Sequence, residues 1–222
     1  MTNDPHKKHE PPHTGPLTAE SQATLSPSEA LGWLVAGNDR FVREITLDRD
    51  HAAAVRATAV QQFPFAVVLG CMDSRVAPEI IFDAGIGDIF SVRVAGNYAS
   101  PGALGSLEFA TLVAGAKIIL VLGHSGCGAV AGAVQGGAEG NLGKLLEHIA
   151  PAIDAVEDFT GNRDASNPIF THAVARENVK MTIDQIMTES PAIAAAVREG
   201  RIGIAGAMHD VSSGAVNFFD RR

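Results

Sequence analysis

Four short apolar runs constrain the fold of this chain more than any other feature. Phe65-Ala66-Val67-Val68-Leu69-Gly70 is uninterrupted hydrophobic sequence between Pro64 and a polar cluster. A strand with one solvated face alternates apolar and polar residues. A run that is apolar at every position calls for burial on both faces, as in a parallel sheet. Similar runs recur at 89–94, 117–122 and 202–207. Sequence of helical character separates them, at 78–84, 102–114, 128–134, 141–157 and a long stretch over 173–198 with a break expected at Pro191. This alternation predicts an α/β fold: a mostly parallel central sheet of four strands, flanked by helices. Val211-Ser212-Ser213-Gly214-Ala215 predicts a turn into a fifth strand over 216–219, placed at a sheet edge.

The amino-terminal region has a different character. Residues 1–26 are rich in Pro, His, Thr and Ser, and the expectation is a disordered tail. His6, His9 and His13 belong to that solvated tail. Ser26 then reads as a helix N-cap, with Glu29 completing a capping box. A helical arm follows through Leu31, Trp33, Leu34, Phe41 and Val42, and a short helix over 52–61. Residues 27–222 are therefore read as one domain.

Composition excludes several function classes. The net charge is −8 with no basic run, which argues against a protein that coats nucleic acid. Aromatic residues make up 5%, too few for stacking on bases or sugars to be a theme. The apolar stretch over 112–123 contains Lys117 and falls short of the roughly 20 residues of a membrane span. The first 20 residues show no apolar signal core. The chain has two cysteines, so a disulfide framework is not expected, and a reducing, cytoplasmic setting is. A small ligand suits such a chain better than a polyanion.

Ligands of parallel sheets bind beyond the carboxyl ends of the strands. Two groups of residues fall there. Cys71-Met72-Asp73-Ser74-Arg75 follows the first run, and His124-Ser125-Gly126-Cys127-Gly128 follows the third. Singly, these are ordinary buried thiols and a core histidine. Together, both cysteines of the chain and a histidine stand at strand ends, with His124 and Cys127 three apart on a glycine turn. Two thiolates and an imidazole suit zinc and leave a fourth position open, as catalytic zinc sites do. Asp73 has two readings: a fourth ligand, or an acceptor for the proton of a metal-bound water. Arg75 can hold it in a bidentate pair. The glycine-rich turn at 123–128 does not have the G-x-G-x-x-G spacing of a dinucleotide loop.

CMDSRV followed by HSGCGA resembles the paired signature of the β-class carbonic anhydrases. The likeness extends to ALGWLVAGNDRF, GDIFSVRVAGN and SLEFA, and so to most of 28–220. The resemblance implies reversible hydration of carbon dioxide to bicarbonate and a proton. It implies one zinc ion per chain, held by Cys71, His124 and Cys127, with zinc-bound hydroxide oriented by a catalytic Asp73–Arg75 dyad. It implies substrate contacts from Gln62, Phe90, Phe109 and the Gly128 N–H, with Phe109 where some members carry tyrosine. It also implies a homodimer or higher homo-oligomer whose protomers share pockets. Val68 stands where members with an inhibitory bicarbonate site carry tryptophan, which points to the plant-like subclass. Val94 departs from a common asparagine, and His209 from a common tyrosine. His209 reads better as a packed or surface histidine than as a proton relay. Two alternatives remain open at this point: hydrolysis of carbon disulfide or carbonyl sulfide on the same site, and a non-catalytic protein with a structural zinc.

Overall fold

The structure is a computed structural model that describes residues 15–221. Five strands form one sheet in the order β2-β1-β3-β4-β5. They are β1 (Ala66–Gly70), β2 (Ile89–Arg93), β3 (Ile118–His124), β4 (Gly203–His209) and β5 (Val216–Arg221). The first four pair in parallel, and β5 joins β4 antiparallel at the edge. The expected architecture is present, edge strand included.

Every residue of β1, β3 and β4 is buried. Side chains alternate between two cores, because successive residues of a strand point to opposite faces. Val67, Leu69, Ile119, Val121 and Ile204 face the larger core, with Phe170, Val179 and Ile183 of α9 (Pro168–Glu189). Ala66, Val68, Leu120 and Ala205 face the smaller one, with Leu31, Trp33 and Leu34 of α2 (Pro27–Val42). Burial of one such large side chain contributes about 1.5–3 kcal/mol.

The fourth apolar run behaves differently. Its apolar run groups β2 with the strands buried on both faces, but its residues are half-buried or exposed. The reason is topological: β2 is the other edge of the sheet. Phe90 and Val92 on it, with Phe109 and Ala110, line an open groove.

Helix boundaries follow local chemistry. Ser26 caps α2 and Glu29 closes the expected capping box. Of the short helix expected over 52–61, α3 covers His51–Thr58. α4 is a single turn, Pro78–Ile81. The 102–114 stretch is α5 (Pro101–Glu108) followed by one π-helical turn, Phe109–Val113. α6 spans Gly128–Gln135. The single helix expected over 141–157 is two, α7 (Gly140–Glu147) and α8 (Ala150–Asp154). Pro151 lacks an N–H and its ring would strike the carbonyl one turn back, so the helix cannot run through. Ser190 ends α9 and caps α10 (Pro191–Arg198), as the proline predicts.

The amino-terminal expectation needs correction. His6, His9 and His13 lie outside the described residues, but Ala19–Thr24 within the supposed tail is a helix, α1, with a Thr18–Ser21 capping box. Leu17 and Leu25 flank it and are buried. Buried Gln22 donates from Nε2 to Pro64 O (2.7 Å) and to Ala114 O (2.9 Å). Composition missed this because two leucines and one amide are enough to dock so short a segment. Gln22→Ala should cost about 1–3 kcal/mol, since it leaves polar groups unpaired in an enclosed site. Urea denaturation measures this, and an unchanged midpoint would refute the anchoring role.

Candidate metal centre

β1 and β3 are adjacent and parallel, so their carboxyl ends deliver Cys71 and His124 to the same place. His124 is the last residue of β3, and Cys127 immediately precedes α6. Gly126 between them has φ +63°, a left-handed conformation that suits glycine and turns the chain sharply enough for both side chains to face inward. Ligand atoms of Cys71, His124 and Cys127 lie within 4.8 Å of one another, and all three residues are buried.

This donor set fits zinc on three observations. The two Sγ atoms are 3.9 Å apart. Two zinc–sulfur bonds at a tetrahedral angle would separate them by about 3.8 Å. His124 Nδ1 lies 3.0 Å from the Ser125 carbonyl oxygen. A carbonyl only accepts, so Nδ1 carries the proton and Nε2 presents its lone pair. That Nε2 is buried and has no hydrogen-bond partner. The two sulfurs are close enough to set each other's ionisation. The Cys127 S–H holds Cys71 well below the usual thiol range, with help from His124 and the Gly96 N–H. Cys127 is pushed far up by the neighbouring Cys71 sulfur and by burial. A divalent cation removes that conflict, because it lets both sulfurs ionise.

Asp73 does not join the ligand group. Its two oxygens face Arg75 in a bidentate pair, Nε to Oδ1 at 2.9 Å and Nη2 to Oδ2 at 2.8 Å. The Arg75 backbone N–H adds a third bond to Oδ1. The Arg75 side chain holds the carboxyl well below the usual carboxylate range, against a smaller opposing effect of burial. Arg75 Nη2 also reaches Gly126 O at 3.2 Å, which ties the dyad to the turn between His124 and Cys127. The bidentate pair expected of Asp73 and Arg75 is the arrangement seen.

The other predicted site residues separate into two places. Gly128 follows Cys127 directly, exposed at the first position of α6. Phe90 and Phe109 meet edge to face, 6.4 Å between centroids, in the groove on the open edge of the sheet. Phe90 pairs with Val67, four residues before Cys71, so it is roughly 13 Å away along the strand direction. Gln62 is exposed and precedes β1, whereas Cys71 follows the other end of that strand. Five extended residues separate the two ends by roughly 17 Å. Gln62, Phe90 and Phe109 therefore do not surround this chain's own Cys71.

Some contacts were not anticipated from sequence. The Gly96 N–H donates to Cys71 Sγ at 3.4 Å, and Asn178 of α9 donates to Gly96 O at 2.8 Å. Gly96 has φ +76°, and a Cβ there would lie 2.3 Å from Ile149 Cδ1. Arg93, at the end of β2, donates to the carbonyl oxygens of Cys71 and Asp73. The only sequence signal for these was that Arg93 and Gly96 stand at or just past a strand end. His209 lies opposite His124 in the β3–β4 ladder, buried, with burial pushing its pKa down. Of the packed and surface positions the sequence left open, it has the packed one.

A strand-end Cys-His-Cys group compatible with zinc, on a mostly parallel sheet and with an Asp–Arg pair beside it, defines a class of protein. Residues 66–216 match the carbonic anhydrase family. Carbonic anhydrase 2 of Mycobacterium tuberculosis is 35% identical over 198 residues, which cover 85% of this chain and 91% of that protein. The β-carbonic anhydrase CafA of Aspergillus fumigatus superposes with a TM-score of 0.66 at 26% identity, covering 77% of this chain and 82% of that one. A tetrameric β-carbonic anhydrase of Sordaria macrospora shares the fold, with a TM-score of 0.65 at 24% identity, covering 77% and 92% of the two chains. The chain belongs to the β class of the carbonic anhydrase family, a family of enzymes.

Proposed function

We propose that this protein interconverts carbon dioxide and water with bicarbonate and a proton, on one zinc ion held by Cys71, His124 and Cys127. The observation that carries the reading is the convergence of three buried ligand atoms within 4.8 Å beside an aspartate that is bound to arginine rather than turned in as a fourth ligand. A zinc ion in such a site supplies one thing: it lowers the pKa of a water in its open position from 15.7 toward about 7.

The chain's own groups do the rest. Asp73, kept ionised by Arg75, would be the acceptor for a hydrogen bond from a water held at the metal and would so orient it toward the substrate. Arg75 also holds the carboxylate off the ligand atoms. The Gly128 N–H, at the amino end of α6, is a free donor for the oxygen that gains charge during attack. Phe90 and Phe109 supply an apolar wall for carbon dioxide. Gln62 supplies a second polar contact.

Within one chain those last three residues are too far from the ligands to act. This supports a homodimer or larger homo-oligomer in which the open β2 edge of one protomer closes the pocket of another. Val68 is fully buried at the position where inhibitory-site members carry tryptophan, which supports the plant-like subclass. No helix among the described residues is long and apolar enough to cross a membrane. Two reduced metal-binding thiols suit the cytoplasm, where we place the activity.

Stopped-flow carbon dioxide hydration on protein of measured zinc content tests the proposal. Turnover should scale with bound zinc and rise with pH from about 6.5 to 9 through one ionisation of the metal's water. A background rate at full zinc occupancy overturns it. A carbonyl sulfide assay on the same sample then shows whether the site serves the sulfur substrate instead.

A further inference from the structure

We propose that Arg93 is a positioning residue that holds the Cys71–Asp73 segment in the form that keeps the dyad paired. The proposal deepens the function above and rests on the role given there to Asp73.

The parallel ladder places Arg93 directly beside Gly70, the residue before Cys71. From there its guanidinium crosses the end of β1. Nε donates to Cys71 O at 3.0 Å and Nη2 to Asp73 O at 2.6 Å. Arg93 makes no ion pair among the described residues, so its charge is directed at these carbonyls alone. The two acceptors flank Met72, which is 64% exposed and has little packing to hold it. One planar fork thus fixes the two peptide groups on either side of the exposed Met72. At one end of the clamped segment is a metal ligand, and at the other the aspartate that must stay off the metal. The Asp73 carbonyl also accepts the Val76 N–H at 3.0 Å, so the clamp continues into the turn that carries Arg75.

Geometry makes arginine the residue for this task. A guanidinium presents several N–H groups in a rigid plane, whereas a lysine ammonium is a single point charge on a flexible stem. Without the fork, the loop gains conformations in which Asp73 parts from Arg75. A fraction of molecules then becomes unable to turn over; with carbon dioxide bound equally well by both forms, kcat falls in proportion to the competent fraction and KM is unchanged. Arg93 touches no substrate in this scheme.

Arg93→Met and Arg93→Lys, prepared as zinc and as cobalt(II) enzymes, test the proposal against Asp73→Asn as reference. For Arg93→Met, kcat should fall about tenfold with KM within about twofold. Its Arg75 and Val76 amides should exchange with solvent at least about tenfold faster, with exchange in β3 and β4 unchanged. The visible cobalt spectrum should shift as carboxylate enters the coordination sphere. Arg93→Lys should restore little of this. Unchanged loop exchange and cobalt spectrum in Arg93→Met overturn the clamp, as does full rescue by lysine, which would assign the effect to charge. If Asp73→Asn retains wild-type turnover, it is the functional reading that fails, and the exchange data still report on the clamp by themselves.

Discussion

Cys127→Ala should abolish zinc binding, and turnover with it. The argument is one of charge. Zn²⁺ with two thiolates and a neutral imidazole is a site of zero net charge in a buried setting. Removal of one thiolate leaves a net positive charge among buried groups, which is costly where water cannot solvate it. It also removes a short metal–sulfur bond. Affinity should fall by several orders of magnitude, so the purified variant carries less than about a tenth of an equivalent of zinc. The fold should persist, because Cys127 is a small residue at the start of a helix that its side chain does not cap. Metal analysis, chelator competition and far-ultraviolet circular dichroism together check this. A folded variant that holds zinc as tightly as the parent would show that Cys127 is not a ligand.

Asp73→Asn should have the opposite profile: zinc retained, turnover largely lost. The amide keeps the size of the carboxyl but loses its charge, and with it the pull that orients the metal's water. General-base and orienting roles of this kind contribute about 10²–10⁴-fold. A loss of at least about a hundredfold in kcat is therefore expected, with zinc content unchanged. Stability should change little, because the partner Arg75 side chain is 52% exposed and can return to water. Stopped-flow hydration with parallel metal analysis decides the matter. Wild-type turnover in this variant would remove Asp73 from the mechanism. Paired with Cys127→Ala, it separates the residues that hold the metal from those that direct its chemistry.

The amino-acid sequence by itself determined the layer architecture and the candidate ligand cluster. Continuous apolar runs demand two covered faces wherever they fold, and β1, β3 and β4 satisfy that demand. Capping boxes and prolines act over three or four residues, so the start of α2 and the break between α9 and α10 were legible locally. Cys71, His124 and Cys127 were legible as a candidate cluster because both cysteines of the chain and a histidine coincide at strand ends. What only the tertiary structure decided depends on neighbours distant in sequence. No local pattern says that β2 is a sheet edge, since that is a property of strand order. The docking of α1 needed the carbonyls of Pro64 and Ala114, which are 42 and 92 residues from Gln22. The paired state of Asp73, the Gly96 N–H on the Cys71 sulfur and the reach of Arg93 across the end of β1 are likewise matters of distance and angle. Burial and chain reversal can be read from residue types because they are local or averaged properties. Hydrogen-bond partners set by how strands stack have to be seen in three dimensions.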